Sequence, residues 1–141
     1  MSVAINNPIS NYQRVGIETG VESANPHKLI LMLFEGASEA LIKAKLHIKH
    51  NEIAQKGEVL SKAIMIIDHG LKASLDMHAG GELAQHLLAL YDYMTNRLLI
   101  ANLKNDIEII DEVNRLLGEL YGAWKVLEKS PDINAKSKAV A

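Results

Sequence analysis

From about residue 26 onward, apolar side chains recur every three or four positions, the period of a helix with one buried face. The pattern predicts four helices. Helix A is expected from about Pro26 to His50, with Leu29, Leu33, Ala37, Ala40 and Ala44 on one stripe and Ile30, Phe34, Leu41 and Ile48 beside it. Asn25-Pro26 opens it well: Asn caps, and Pro suits the first helical position because its missing N–H had no partner there. Lys49 and His50 favour its negative end. Helix B is expected from about Glu52 to Asp76, carrying Ile53, Leu60, Ile64, Ile67, Leu71 and Leu75, until His78-Ala-Gly-Gly81 breaks it. Helix C spans about Glu82 to Leu103, with Leu83, Leu87, Leu90, Met94, Leu98 and Ala101 on its main face. Helix D begins near Asp106 with Asn105 as its cap, carries Ile110, Val113, Leu117, Leu120, Trp124 and Leu127, and stops at Ser130-Pro131.

No alternating strand pattern competes, and no repeat of solenoid period is present. Four long helices with three short connections predict an all-α fold, an antiparallel up-down four-helix bundle. Residues 1–24 read as an N-terminal arm that can cap a groove, residues 25–130 as the bundle, and residues 131–141 as a disordered tail. The arm is polar, holds Pro8, Gly16 and Gly20, and scatters its apolar residues.

Composition narrows the function. The chain has 141 residues, one domain's worth, and a net charge of -2. That balance gives no electrostatic reason to expect nucleic acid or an anionic membrane as partner. Absence of cysteine removes disulfides, thiolate metal sites and cysteine nucleophiles, and makes the cytosol the simplest compartment. The start lacks the basic and apolar regions of a secretory signal, and no apolar run approaches the ~20 residues that cross a bilayer.

Catalytic patterns are missing too. None of the six histidines stands three residues after a Glu, so the Glu-x-x-His pairs of di-metal bundles do not occur. His47 and His50 are neighbours on a helix end without an evident third ligand. There is no phosphate-binding Gly-x-x-x-x-Gly-Lys loop and no Gly-x-Ser-x-Gly elbow. The expectation is no cofactor, no metal and no enzyme. One local match stands as the alternative: His69-Gly-Leu-Lys72-Ala-Ser74 resembles the signature of histidine phosphotransfer bundles. Spacing i,i+3 puts His69 and Lys72 on one helix face, though the motif is short and a solvated His-Lys pair is the simpler reading.

The excess of apolar residues points elsewhere. A bundle helix needs one apolar stripe, yet helix C carries a second (Ala84, Leu88, Tyr91, Leu99) and helix B another (Val59, Ala63, Ile66, Gly70, Ala73, Met77). Small residues on B beside larger ones on C predict a shallow apolar groove, suited to an amphipathic or partly disordered peptide. Ile66, Ala73, Met77, Leu88, Tyr91 and Leu99 are its candidate lining. Ile9 and Tyr12 of the arm, spaced i,i+3, are a candidate plug.

Several stretches resemble the flagellar secretion chaperone FliS family. These are Asn25-Pro-His-Lys-Leu-Ile-Leu-Met-Leu-Phe-Glu-Gly-Ala37, Leu60-Ser-Lys-Ala-Ile-Met-Ile-Ile-Asp68 with Ser74-Leu-Asp76, and Gly80-Gly-Glu-Leu-Ala84 with Leu90-Tyr-Asp-Tyr-Met94. Ala101-Asn102, Asp106, Glu112-Val113, Leu116-Leu117 and Ala123-Trp124 extend the likeness. Phe34 departs from the Tyr common in that family. The resemblance implies a cytosolic bundle without catalytic residues that binds the C-terminal segment of flagellin, prevents premature polymerisation and keeps it competent for flagellar type III export. It maps a client-binding role onto Ile9 and Tyr12. Export-apparatus components and other flagellar regulators stay open as further partners.

Overall fold

A computed structural model describes residues 25–127, and among them the backbone is four helices without a strand. Helix α1 spans Pro26–Lys49. Helix α2 spans Ile53–Met65 and continues as a π-helical segment over Ile66–Lys72. Helix α3 spans Gly81–Lys104 and α4 spans Ile107–Leu127. Helix α1 packs against α2 and α4, and α3 packs against α4 and the π-helical segment, so the helices form an up-down ring in chain order.

The caps explain the boundaries. Asn25 Oδ1 accepts from the Lys28 amide at 2.8 Å, as the Asn-Pro start predicts. Asn51 turns the chain between α1 and α2 at φ +57°, a left-handed conformation Asn tolerates. Asp76 organises the next connection by accepting from the amides of His78 and Ala79. The cap of α4 differs from expectation. Asn105 instead ends α3 in the left-handed region, and Asp106 caps α4, accepting from the amides of Glu108 and Ile109.

Helix B also departs from its expected course, because regular α-helix stops at Met65 rather than running to Asp76. The wider π turn follows, and Gly70 is central to it. A Cβ on Gly70 would lie 3.1 Å from Leu33 Cδ2, tighter than ordinary contact, so glycine spares this turn a crowded approach to α1.

The core is built from one stripe per helix and more. The expected stripe of α1 is buried, together with its flanks Ile30, Phe34 and Leu41. On α3 the buried set is Ala84, Leu87, Tyr91, Met94, Leu98 and Ala101, a regular alternation of three and four. Leu83, expected inside, is 54 % exposed. Ala84 and Tyr91, expected on a second surface stripe, belong to the core, as do Ala63, Ile66 and Gly70 of α2 and its π extension. Small residues (Ala37, Ala40, Ala44, Ala63, Ala84, Ala101) bring the helix axes close. Each helix therefore buries more than a single narrow stripe.

Polar links rivet the seams. Lys72 Nζ bonds Asp92 of α3 at 2.7 Å and Asp68 at 3.1 Å. Both bonds, that to Asp92 foremost, hold the Lys72 ammonium above its ordinary range. Between α3 and α4, Glu112 accepts from the Tyr93 hydroxyl and from Arg97 Nε. Between α1 and α4, Lys45 pairs with Asp111 at 2.6 Å and Ser38 Oγ donates to Asn114 Oδ1 at 2.6 Å. His27 is buried against Trp124, with ring centroids 5.1 Å apart.

Candidate functional site

The candidate groove residues separate by depth. Tyr91 is 2 % exposed, and burial pushes its phenol far above the ordinary range. Ile66 is buried beside Gly36. Both belong to the core and neither faces solvent. Leu99 is 55 % exposed, Met77 and Ala73 are exposed, and Leu88 is half-buried. Ile9 and Tyr12 lie outside the described residues.

Within α3 the apolar side chains that do reach solvent concentrate toward its C-terminal half. Leu99 and Ile100 are followed by Leu103, which is 83 % exposed. Leu88, Thr95 and Leu99 share one flank, since spacings of seven and four return to the same side of a helix. Asp92 stands on that flank as well and holds Lys72. At the far end Asn102 takes Lys56 from α2, with Nζ 2.8 Å from both the backbone and side-chain oxygens. The seam between α2 and α3 is thus pinned at two polar points, with exposed aliphatic surface on α3 between and beyond them.

A second surface was not expected from the sequence. Between α1 and α4 lies an open cleft of about 430 Å3 with mostly apolar walls. Phe34 and Leu117 are its buried walls, Ile42 and Gly118 are exposed within it, and Glu35, Ser38, Glu39, Lys43 and Tyr121 complete the lining. The Tyr121 hydroxyl donates to Glu35 Oε2 at 2.6 Å across its mouth. Its one mark in the sequence is Gly118, a glycine inside a helix, which lines the cleft; Gly122, one turn on, does not. A Cβ at either would meet nothing within 4 Å.

Chemistry remains sparse. Among the described residues, no group of three or more His, Asp or Glu is placed to hold a metal ion. No helix there is long and apolar enough to cross a membrane. His69 is exposed within the π-helical segment, but the Lys72 that would steady a phosphoryl group is held by Asp68 and Asp92. A phosphohistidine would also face Asp68, 4.0 Å from His69 Nε2, so this geometry works against phosphotransfer.

A helical bundle with exposed apolar surface on α3 and an apolar cleft between α1 and α4 has the surfaces a protein-binding module needs. Comparison with known proteins says which kind. The flagellar protein FliS family matches residues 8–131. The chain is 54 % identical to the flagellar secretion chaperone FliS of Salmonella typhimurium, over 83 % of this chain and 87 % of that one. It is 45 % identical to the protein of the same name from Escherichia coli K12, over 86 % and 90 % of the two chains. It is 34 % identical to that of Bacillus subtilis, over 87 % of each. The chain belongs to the FliS family of flagellar secretion chaperones.

Proposed function

We propose that this chain is a cytosolic export chaperone that holds the C-terminal segment of flagellin, and so delays filament assembly until export. The observation that carries this reading is the exposed aliphatic flank of α3, with Leu99 and Leu103 at its centre. Leu88, Ala73 and Met77 extend it toward the α2–α3 corner, and Ile66 and Tyr91 belong to the core. Ile9 and Tyr12, which lie outside the described residues, complete the client-binding set that the family resemblance implies.

The energetics suit a partly disordered client. Ordering a segment on the bundle costs conformational entropy, which buried aliphatic area must exceed. At roughly 25 cal/mol per Å2, ~1,000 Å2 of apolar burial contributes ~25 kcal/mol gross, and ordering and association cancel most of it. Binding is then salt-tolerant in the main and carries a negative heat-capacity change. No catalytic step and no cofactor enters this function.

Filament assembly tests the reading. Monomeric flagellin seeded with filament fragments should elongate slowly once an equimolar amount of the chain is present. Elongation at an unchanged rate would contradict the proposal.

A further inference from the structure

The α1–α4 cleft offers something the α3 flank lacks, a carboxylate without an ion pair at the mouth of an apolar slot. Of its two glutamates, Glu39 is 3.1 Å from Lys43. Glu35 bonds instead to the Tyr121 hydroxyl, and among the described residues it forms no ion pair. The neighbouring cation, Lys125, sits 5.8 Å over the Tyr121 ring. Behind Glu35 the slot is apolar, with Phe34 and Leu117 as its walls. Gly118 borders it on open space, since a Cβ there would meet nothing within 4 Å. Glycine weakens a helix interior relative to alanine, and no contact inside the bundle calls for it at this position.

The geometry points to this cleft as the specificity pocket for the client segment: it takes an aliphatic or aromatic side chain that stands within a helical turn of a lysine or arginine, and Glu35 reads the cation. This rests on the client reading above. Charge complementarity decides the occupant's chemistry, because a carboxylate without a cation partner beside apolar walls penalises a purely apolar or acidic segment and rewards one with a cation at the rim. A charge-assisted bond to Glu35 also fixes the register of the segment in the slot.

The test is calorimetric titration of the full chain with a peptide of the flagellin C-terminal segment. A second peptide has its Lys and Arg replaced by Gln. Glu35→Gln keeps an oxygen for the Tyr121 hydroxyl and removes only the charge. It should weaken the first peptide about tenfold, as loss of one charge-assisted bond implies. The Gln peptide should lose the same factor on the natural chain and nothing further on Glu35→Gln. Gly118→Leu, which fills the slot, should weaken both peptides with the helical signal unchanged; if it lowers that signal, Glu35→Gln alone decides. Unchanged affinity in Glu35→Gln, or losses that simply add, would overturn the pocket and leave the client reading standing. No binding of the first peptide to the natural chain would overturn both.

Discussion

Lys56 of α2 places its ammonium 2.8 Å from both the backbone and the side-chain oxygen of Asn102, near the C-terminal end of α3. A nearly buried lysine with no carboxylate partner among the described residues is unusual. Here it serves the end of a helix, where carbonyls lack intrahelical donors and the dipole favours a cation. It ties the start of α2 to the end of α3 and fixes one side of the apolar flank proposed for the client.

Replacing either partner should therefore destabilise the bundle. Lys56→Met leaves the Asn102 oxygens without their donor and should cost about 2 kcal/mol. Asn102→Ala strands part of a buried ammonium's bonding and should cost at least as much. Urea unfolding followed by circular dichroism measures both. Stability unchanged in Lys56→Met would mean that water serves Asn102 equally well.

Two glycines should respond in opposite directions to the same substitution. At Gly70 a new Cβ would lie 3.1 and 3.2 Å from the two Leu33 methyls, so Gly70→Ala must displace the Leu33 side chain from its packed position. That overpacking should cost about 1–3 kcal/mol. At Gly118 the added methyl meets open space, and Gly118→Ala should gain about 0.5–1 kcal/mol from helix propensity. Thermal melts of the two variants should move apart; a common direction would contradict the packing described for Gly70.

The contrast also shows what could be read from the sequence. The α1 and α4 stripes and the Asn25 cap were legible because apolar residues there fall on one period with polar ones opposite. On α3 nearly every candidate position is apolar, so Leu83 and Ala84 compete for the same place, and only packing against α4 and the π-helical segment selects Ala84. The same ambiguity put Tyr91 and Ile66 on an imagined surface when the close approach of Ala-lined helices had room for both. The π turn depends on Gly70 meeting Leu33, residues 37 positions apart (70 minus 33). The α1–α4 cleft needs the relative register of two helices distant in the chain, which periodicity within each cannot supply.

The α3–α4 seam should carry a pH signature. The Tyr93 hydroxyl, and after it Arg97, hold the Glu112 carboxyl below its ordinary value of 4.5. A carboxylate depressed in the folded state contributes stability above its unfolded pKa, and that contribution fades as pH falls through the folded value. Glu112→Gln should thus lower the melting temperature at pH 7 and converge with the natural chain in acid below the folded pKa. Parallel melting curves from pH 7 down to acid would contradict this coupling.

The proposed client surface is tested most directly by titrating the flagellin C-terminal segment into the full chain and into Leu99→Asp by calorimetry at several temperatures. Leu99 is exposed, so the substitution should leave helix content and melting temperature nearly unchanged. The natural chain should bind with a negative heat-capacity change, and Leu99→Asp should bind at least tenfold more weakly, consistent with a charge placed against apolar area. Equal affinity for both, with the fold intact, would show that the segment does not rest on the α3 flank.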